Sequence, residues 1–133
     1  MGKRVSIEDH VAISDLWGRY CWLIDEGRAD EWVALWTEDG VFADFGPNPM
    51  VGSEALKSMS IGFAASGGKS RHMAGNLHCD YGENENIVIA RFYNLVTDWA
   101  KGGSFKLMGI CQATLVRDGH GWKIKRNDVR MLM

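Results

Sequence analysis

Apolar positions follow a helical period in the first half of the chain and a period of two in the second. Over residues 6–26, Ile13, Leu16, Trp17, Tyr20, Cys21 and Ile24 recur at helical spacing and make one apolar face. Ser6 stands where an N-cap belongs, with Glu8 and Asp9 in the first turn, and Gly27 suits the C-terminal cap. A second short helix follows, with Asp30 as its cap and Trp32, Val33, Leu35 and Trp36 as its apolar contacts. The stretch VFADF, residues 41–45, predicts a short strand, and GPNPMVG after it predicts a loop. Residues 52–66 predict a third helix with Ser53 as cap, ended by Gly67 and Gly68. Four long strands are then expected near 70–81, 86–100, 104–117 and 121–132, separated by YGENEN, KGG and RDGHG.

Helices first and antiparallel strands second define an α+β class rather than a parallel βαβ array. Three N-terminal helices on one face of a long, curved, mostly antiparallel sheet make a cone-shaped α+β barrel. Its interior is the natural ligand site. At 133 residues the chain suffices for one domain, residues 1–133, with no internal repeat or linker.

Composition narrows the function classes. Hydrophobic residues at 46% and charged residues at 24% exclude a disordered segment. The formal net charge of −2 supplies no field for a nucleic-acid backbone. The basic residues of GWKIKRNDVR, interrupted by Asn127 and Asp128, are expected on one polar strand face. Cys21, Cys79 and Cys111 are an odd number in no CxxC pairing, which fits a reduced cytoplasm better than a disulfide framework. The N-terminus has no apolar leader region, and no run approaches ~18 apolar residues. The expectation is a cytoplasmic protein that neither enters a membrane nor binds nucleic acid.

Candidate chemistry centres on SRHMAGN, residues 70–76. In an extended strand, His72, Ala74, Asn76 and His78 point one way, and Arg71, Met73, Gly75 and Leu77 the other. The small Ala74 leaves room beside His72. His72 and His78 stand ~20 Å apart at strand rise, too far for one metal ion. His10 and His120 are expected at the surface. Asp25 lies about 40° beyond Cys21, at the edge of the apolar face. It also sits at the helix C-terminus, where the dipole disfavours a carboxylate by a few tenths of a kcal/mol. A purely structural acid belongs at a helix start. A carboxylate bound to one imidazole nitrogen fixes the tautomer and raises the basicity of the other. A hydrogen-bonded structural histidine and a solvated helix-end acid are the plain alternatives. Asp44 shares parity with Phe42; facing inward it is a buried acid, facing outward a surface one. Tyr20 is central on the apolar face and its hydroxyl needs a partner or a ligand. Trp17, Trp36 and Trp99 are candidates to line an apolar cavity. On the second long strand, Arg91 and Tyr93 share one face, and Asn94 and Asp98 the other; the pattern leaves open which looks inward.

The run RYCWLIDEGRADEWVALWTEDGVFADF, residues 19–45, resembles the opening of the SnoaL-like, nuclear transport factor 2-like superfamily, and GWKIKRNDVR resembles its last strand. The resemblance covers nearly the whole chain and implies the cone fold. Scytalone dehydratase and hexachlorocyclohexane dehydrochlorinase, within that superfamily, carry an Asp near the end of the first helix and a His on the strand after the third helix. Asp25 and His72 stand at those places, and Asn76 matches an Asn of the dehydrochlorinase. The tyrosine before the dehydratase Asp is Ile24 here. Its second pocket Tyr falls near Phe45, its second His near Tyr93, and its pocket Asn near Cys111 or Gln112.

The resemblance therefore implies a cofactor-free, metal-free lyase acting on a small hydrophobic cyclic or aromatic molecule. Asp25 and His72 would be catalytic, with Tyr20, Asn76, Asp44, Trp17, Phe45 and Tyr93 around the substrate. Ketosteroid isomerase, in the same superfamily, implies a second function, with Asp44 as base and Tyr20 as oxyanion donor. A third is a noncatalytic ligand-binding or partner subunit. A homodimer or homotrimer assembled through the outer sheet face is expected.

Overall fold

The first helix, α1 (Ile7–Asp25), starts where the capping pattern places it: the Ser6 hydroxyl accepts the Asp9 N–H at 3.1 Å. Its predicted apolar face is buried, from Ile13 to Ile24. Past Glu26, Gly27 takes the left-handed conformation at φ 70° that ends the helix. A computed structural model describes residues 2–66, 69–119 and 121–132. The Gly67–Gly68 helix stop and His120 lie outside the described residues.

Two shorter helices follow, α2 (Ala29–Val33) and α3 (Ser53–Ser66). Arg28, not Asp30, holds the capping position of α2. The chain enters that helix directly from Gly27, so Asp30 falls inside the first turn and reaches Lys57 of α3 at 2.8 Å instead.

Among the described residues, six strands form one sheet in the order β2-β1-β6-β5-β4-β3. They are β1 (Trp36–Ala43), β2 (Met50–Val51), β3 (Ser70–Tyr81), β4 (Ile87–Asp98), β5 (Ser104–Asp118) and β6 (Gly121–Leu132). Only β1 and β6 run parallel; the other pairs are antiparallel. The sheet is not closed: β2 and β3 are its edges, and the three helices cover one face. The expected second long strand stops at Asp98, where Trp99–Lys101 make a 3-10 turn.

The strand expected at 41–45 begins at Trp36 instead, and the expected loop contains β2. The polar run Thr37–Asp39 hides this start, because β1 is irregular there: its pairing with β6 passes from Trp36–Ile124 to Val41–Arg126. Gly40 is needed at this irregularity. A Cβ there would sit 2.9 Å from the Trp36 ring and 3.1 Å from the Thr37 carbonyl oxygen.

Two β-bulges decide which polar residues face the core. On β3 the pairing passes from Gly75–Tyr93 to His78–Arg91, one residue longer than on β4. Asn76 lies in that step at φ 56°, a conformation asparagine tolerates better than most residues. Before the bulge His72 faces inward; after it Leu77, Cys79 and Tyr81 do, and Asn76 and His78 turn out. On β6 the pairing passes from Leu115–Ile124 to Thr114–Arg126, leaving Lys125 as the extra residue. Asn127 is thereby fully buried, rather than set on the polar face expected for GWKIKRNDVR.

The far end of α1 is pinned to the sheet by a charged cluster. Arg117 of β5 donates to both Asp9 oxygens, at 3.0 and 2.9 Å, and the Tyr81 hydroxyl donates to Asp9 as well. The Arg117 guanidinium also lies 4.3 Å over the Trp122 ring. These donors hold the Asp9 carboxyl below its ordinary range, the Arg117 hydrogen bonds first among them.

Because the folded value is depressed, the stabilisation is complete above the unfolded carboxyl range, near ~4. It is lost as pH falls through the folded value. Asp9→Ala is expected to lower the unfolding free energy by about 2 kcal/mol at neutral pH. Asp9→Asn should flatten the acid limb of the stability curve. Urea titrations from pH 7 to pH 2 check both.

Candidate functional site

β3 is an edge strand, so alternate N–H groups along it have no neighbouring strand to bond. The His72 N–H donates instead to Asp25 Oδ2, at 2.9 Å. The other carboxylate oxygen, Oδ1, lies 2.6 Å from His72 Nδ1. Both side chains are nearly buried, 9% exposed for His72 and 7% for Asp25. One carboxylate thus holds a backbone group and the ring together, which removes the ring's rotational freedom. A neutral ring that donates from Nδ1 to the carboxylate has Nε2 as its acceptor nitrogen, and His72 lines a cavity. The Phe63 ring packs against the imidazole, with centroids 5.0 Å apart.

The cavity has a volume of about 320 Å³ and lies between α1, α3 and the sheet. Its walls are largely apolar, including Ile24, Phe42, Phe45, Met59, Phe63 and Val129. Three buried polar side chains reach it: His72, Tyr20 and Asn94. A small number of polar groups in an apolar enclosure is the ordinary make-up of a small-molecule site. Burial holds the Tyr20 phenol well above its ordinary range, so Tyr20 is a neutral hydrogen-bond donor. Its oxygen accepts from Asn127 Nδ2 at 3.5 Å, which leaves the phenolic proton for another acceptor. The Lys106 ammonium sits 5.3 Å over the Phe63 ring and 3.0 Å from Ser70 Oγ.

Of the residues singled out in the sequence, the structure brings together Asp25, His72, Tyr20 and Phe45. It does not bring Asn76, Asp44, Trp17 or Tyr93 to the cavity. The β3 bulge turns Asn76 outward, where it lies with His78, Arg91 and Tyr93 in a shallow groove on the outer sheet face. Tyr93 is there because the Asn94 face of β4 is the buried one. Asp44 follows the end of β1 with φ 67°, which swings its carboxylate out to solvent and brings Phe45 against Phe42, centroids 5.8 Å apart. Trp17 is core, its ring 4.3 Å from Phe92. Trp36 is likewise buried against Trp32, and Trp99 is exposed.

Two side chains carry weight that the sequence reading missed. Asn94 was visible only as one face of an alternation whose inward side the pattern left open. Asn127 was hidden by the β6 bulge. The three thiols are buried, which pushes Cys21 and Cys111 up to about 12 and Cys79 to about 11, so none is a ready nucleophile.

Residues 5–128 match the model of the SnoaL-like domain. The chain belongs to the SnoaL-like domain family. Solved structures agree with the fold. An NTF2-like protein with a cystatin-like fold from Novosphingobium aromaticivorans is 25% identical with a TM-score of 0.82, covering 95% of this chain and 83% of that one. A protein from the same organism, named provisionally as a scytalone dehydratase, is 22% identical with a TM-score of 0.83, over 96% and 86% of the two chains. A Catenulispora acidiphila protein solved in complex with S-DNPA is 26% identical with a TM-score of 0.78, over 92% of each chain. No curated protein matches the chain significantly. Among the described residues of this SnoaL-like domain, no helix is long and apolar enough to cross a membrane.

Removing the Asp25 carboxylate leaves the His72 N–H and ring without their shared acceptor. Asp25→Ala is expected to cost about 2–3 kcal/mol of unfolding free energy. Glu26→Ala, one residue on and exposed, should stay within about 0.5 kcal/mol of the parent. Paired chemical denaturation curves test the difference.

Proposed function

We propose that this protein is a lyase that removes water from a small hydrophobic cyclic substrate by acid–base chemistry at His72. The observation that carries the reading is the 2.6 Å contact between Asp25 and His72 Nδ1, made beside an apolar cavity that His72 lines. A β-hydroxy ketone suits the arrangement. His72 Nε2 takes the proton from the carbon next to the carbonyl, and Asp25 stabilises the imidazolium formed. The electron pair of the broken C–H bond forms the new double bond. The C–O bond to the hydroxyl breaks, and that oxygen takes the proton back from Nε2 and leaves as water. Tyr20 donates to the carbonyl oxygen, where negative charge develops. The enclosure matters because its low polarity strengthens each of these interactions.

The relatives lend support of a coarser kind. One is named provisionally for a dehydratase, and another was solved in complex with S-DNPA. The isomerase reading needs Asp44 as base, and Asp44 is exposed and outside the cavity lining.

His72→Gln and Asp25→Asn are each expected to lower turnover of cyclic β-hydroxy ketones by ~10² to 10⁴. Asp44→Asn should leave turnover near the parent value. Steady-state assays over a panel of such ketones make the test, and undiminished turnover in His72→Gln would sink the mechanism.

A further inference from the structure

Asn94 has no part in the acid–base step above, yet it is placed as though to meet a ligand. The residue is 6% exposed and lines the cavity, and its Oδ1 is buried with no hydrogen-bond partner among the described residues. An unpaired buried acceptor is costly, and native proteins rarely keep one without a use. The neighbouring strand packs closely beside it. Gly109 of β5 pairs directly with Asn94 and also lines the cavity. A Cβ on Gly109 would approach Val129 Cγ1 to 3.0 Å, so the floor is closely fitted around the missing side chain.

The sheet register sets how far Asn94 lies from the chemistry. His72 pairs with Val96, so Asn94 is its diagonal neighbour on the next strand. Diagonal neighbours on one face stand ~7–8 Å apart, about the width of one six-membered ring with its substituents. Tyr20 already supplies a donor to the cavity. What the site lacks is a donor from the ligand to meet Asn94.

We propose that Asn94 is a specificity-determining residue whose Oδ1 accepts a hydrogen bond from a hydroxyl or N–H on the substrate, within one ring of the carbon that His72 deprotonates. The substrate class deepens from a hydrophobic ring to a ring bearing a donor on the side that faces β4. This rests on the cavity being the substrate site, as in the lyase reading, and its test is independent of turnover.

The probes are indanone, its ring-hydroxylated isomers and the corresponding methoxy ethers. None has a β-hydroxyl to eliminate, so binding alone is read, by titration calorimetry or by quenching of tryptophan fluorescence. At least one hydroxy isomer is expected to bind ~5- to 100-fold tighter than indanone, because only it satisfies the acceptor. Its methoxy ether, which accepts but cannot donate, should bind no tighter than indanone. In Asn94→Leu the hydroxy preference should fall to below about threefold, while indanone itself binds at least as well as before. The proposal is overturned if no hydroxy isomer gains on indanone in the wild-type protein, if the methoxy ethers gain equally, or if the preference survives in Asn94→Leu. The wild-type comparison decides by itself should that variant fail to fold. A failed elimination assay with an intact hydroxy preference would count against the lyase step and leave Asn94 as assigned.

Discussion

The Asp25 carboxylate does two jobs with two oxygens: one satisfies a backbone N–H on an edge strand, and the other holds an imidazole. Neither job is local to its helix, where a carboxylate at the C-terminus is mildly unfavourable. The position makes sense only with β3 beside it. Asp9 does the corresponding task at the other end of α1, through Tyr81 at the far end of the same strand and Arg117 of β5. From Asp9 to Asp25 the helix rises ~24 Å, and from His72 to Tyr81 an ideal strand would run ~30 Å. Long side chains and the bend at the β3 bulge accommodate the difference. The helix is thus fixed along β3 in one register, and the cavity wall formed by Tyr20 and Ile24 is fixed with it.

That register explains why a small cavity can be both apolar and chemically directed. The aromatic cluster of Trp17, Tyr20, Trp32 and Trp36 fills the interior beneath α1, and the cavity lies toward Phe42, Phe63 and the start of β3. Into that space the fold admits a neutral phenol, an imidazole already paired on one side, and an amide with an unused acceptor. Each has its polar partner on the protein side or lacks one on the ligand side. The imbalance is what distinguishes a binding site from a packed core.

Much of this was legible in the chain. The helical face of α1, the four long strands and the turn chemistry between them follow from short-range periodicity, which needs no partner to be read. Asp25 stood out locally, as an acid at the wrong end of a helix; His72 by itself reads as a structural histidine, and the family resemblance is what singled it out. The resemblance placed Asn76, Tyr93 and Asp44 around the substrate, while alternation left the facing of Tyr93 and Asp44 open, and the structure sets all three outside the cavity lining. Asn76 sits in a bulge, Asp44 follows a strand end in left-handed backbone, and Tyr93 lies on the face of β4 that packing did not bury.

By itself, the sequence determined the class of the fold and most of its elements, and with the family resemblance it named Asp25 and His72 as candidates; that the two meet was decided by the packing of α1 on β3. Tertiary structure decided which asparagines serve the interior. Alternation specifies two faces of a strand but not which is buried, and one extra residue exchanges them. The β3 and β6 bulges arise from pairing with β4 and β5, so their positions depend on register between segments distant in the chain. That register sends Asn76 out and Asn127 in, and burial of the Val88–Val96 face carries Asn94 to the cavity.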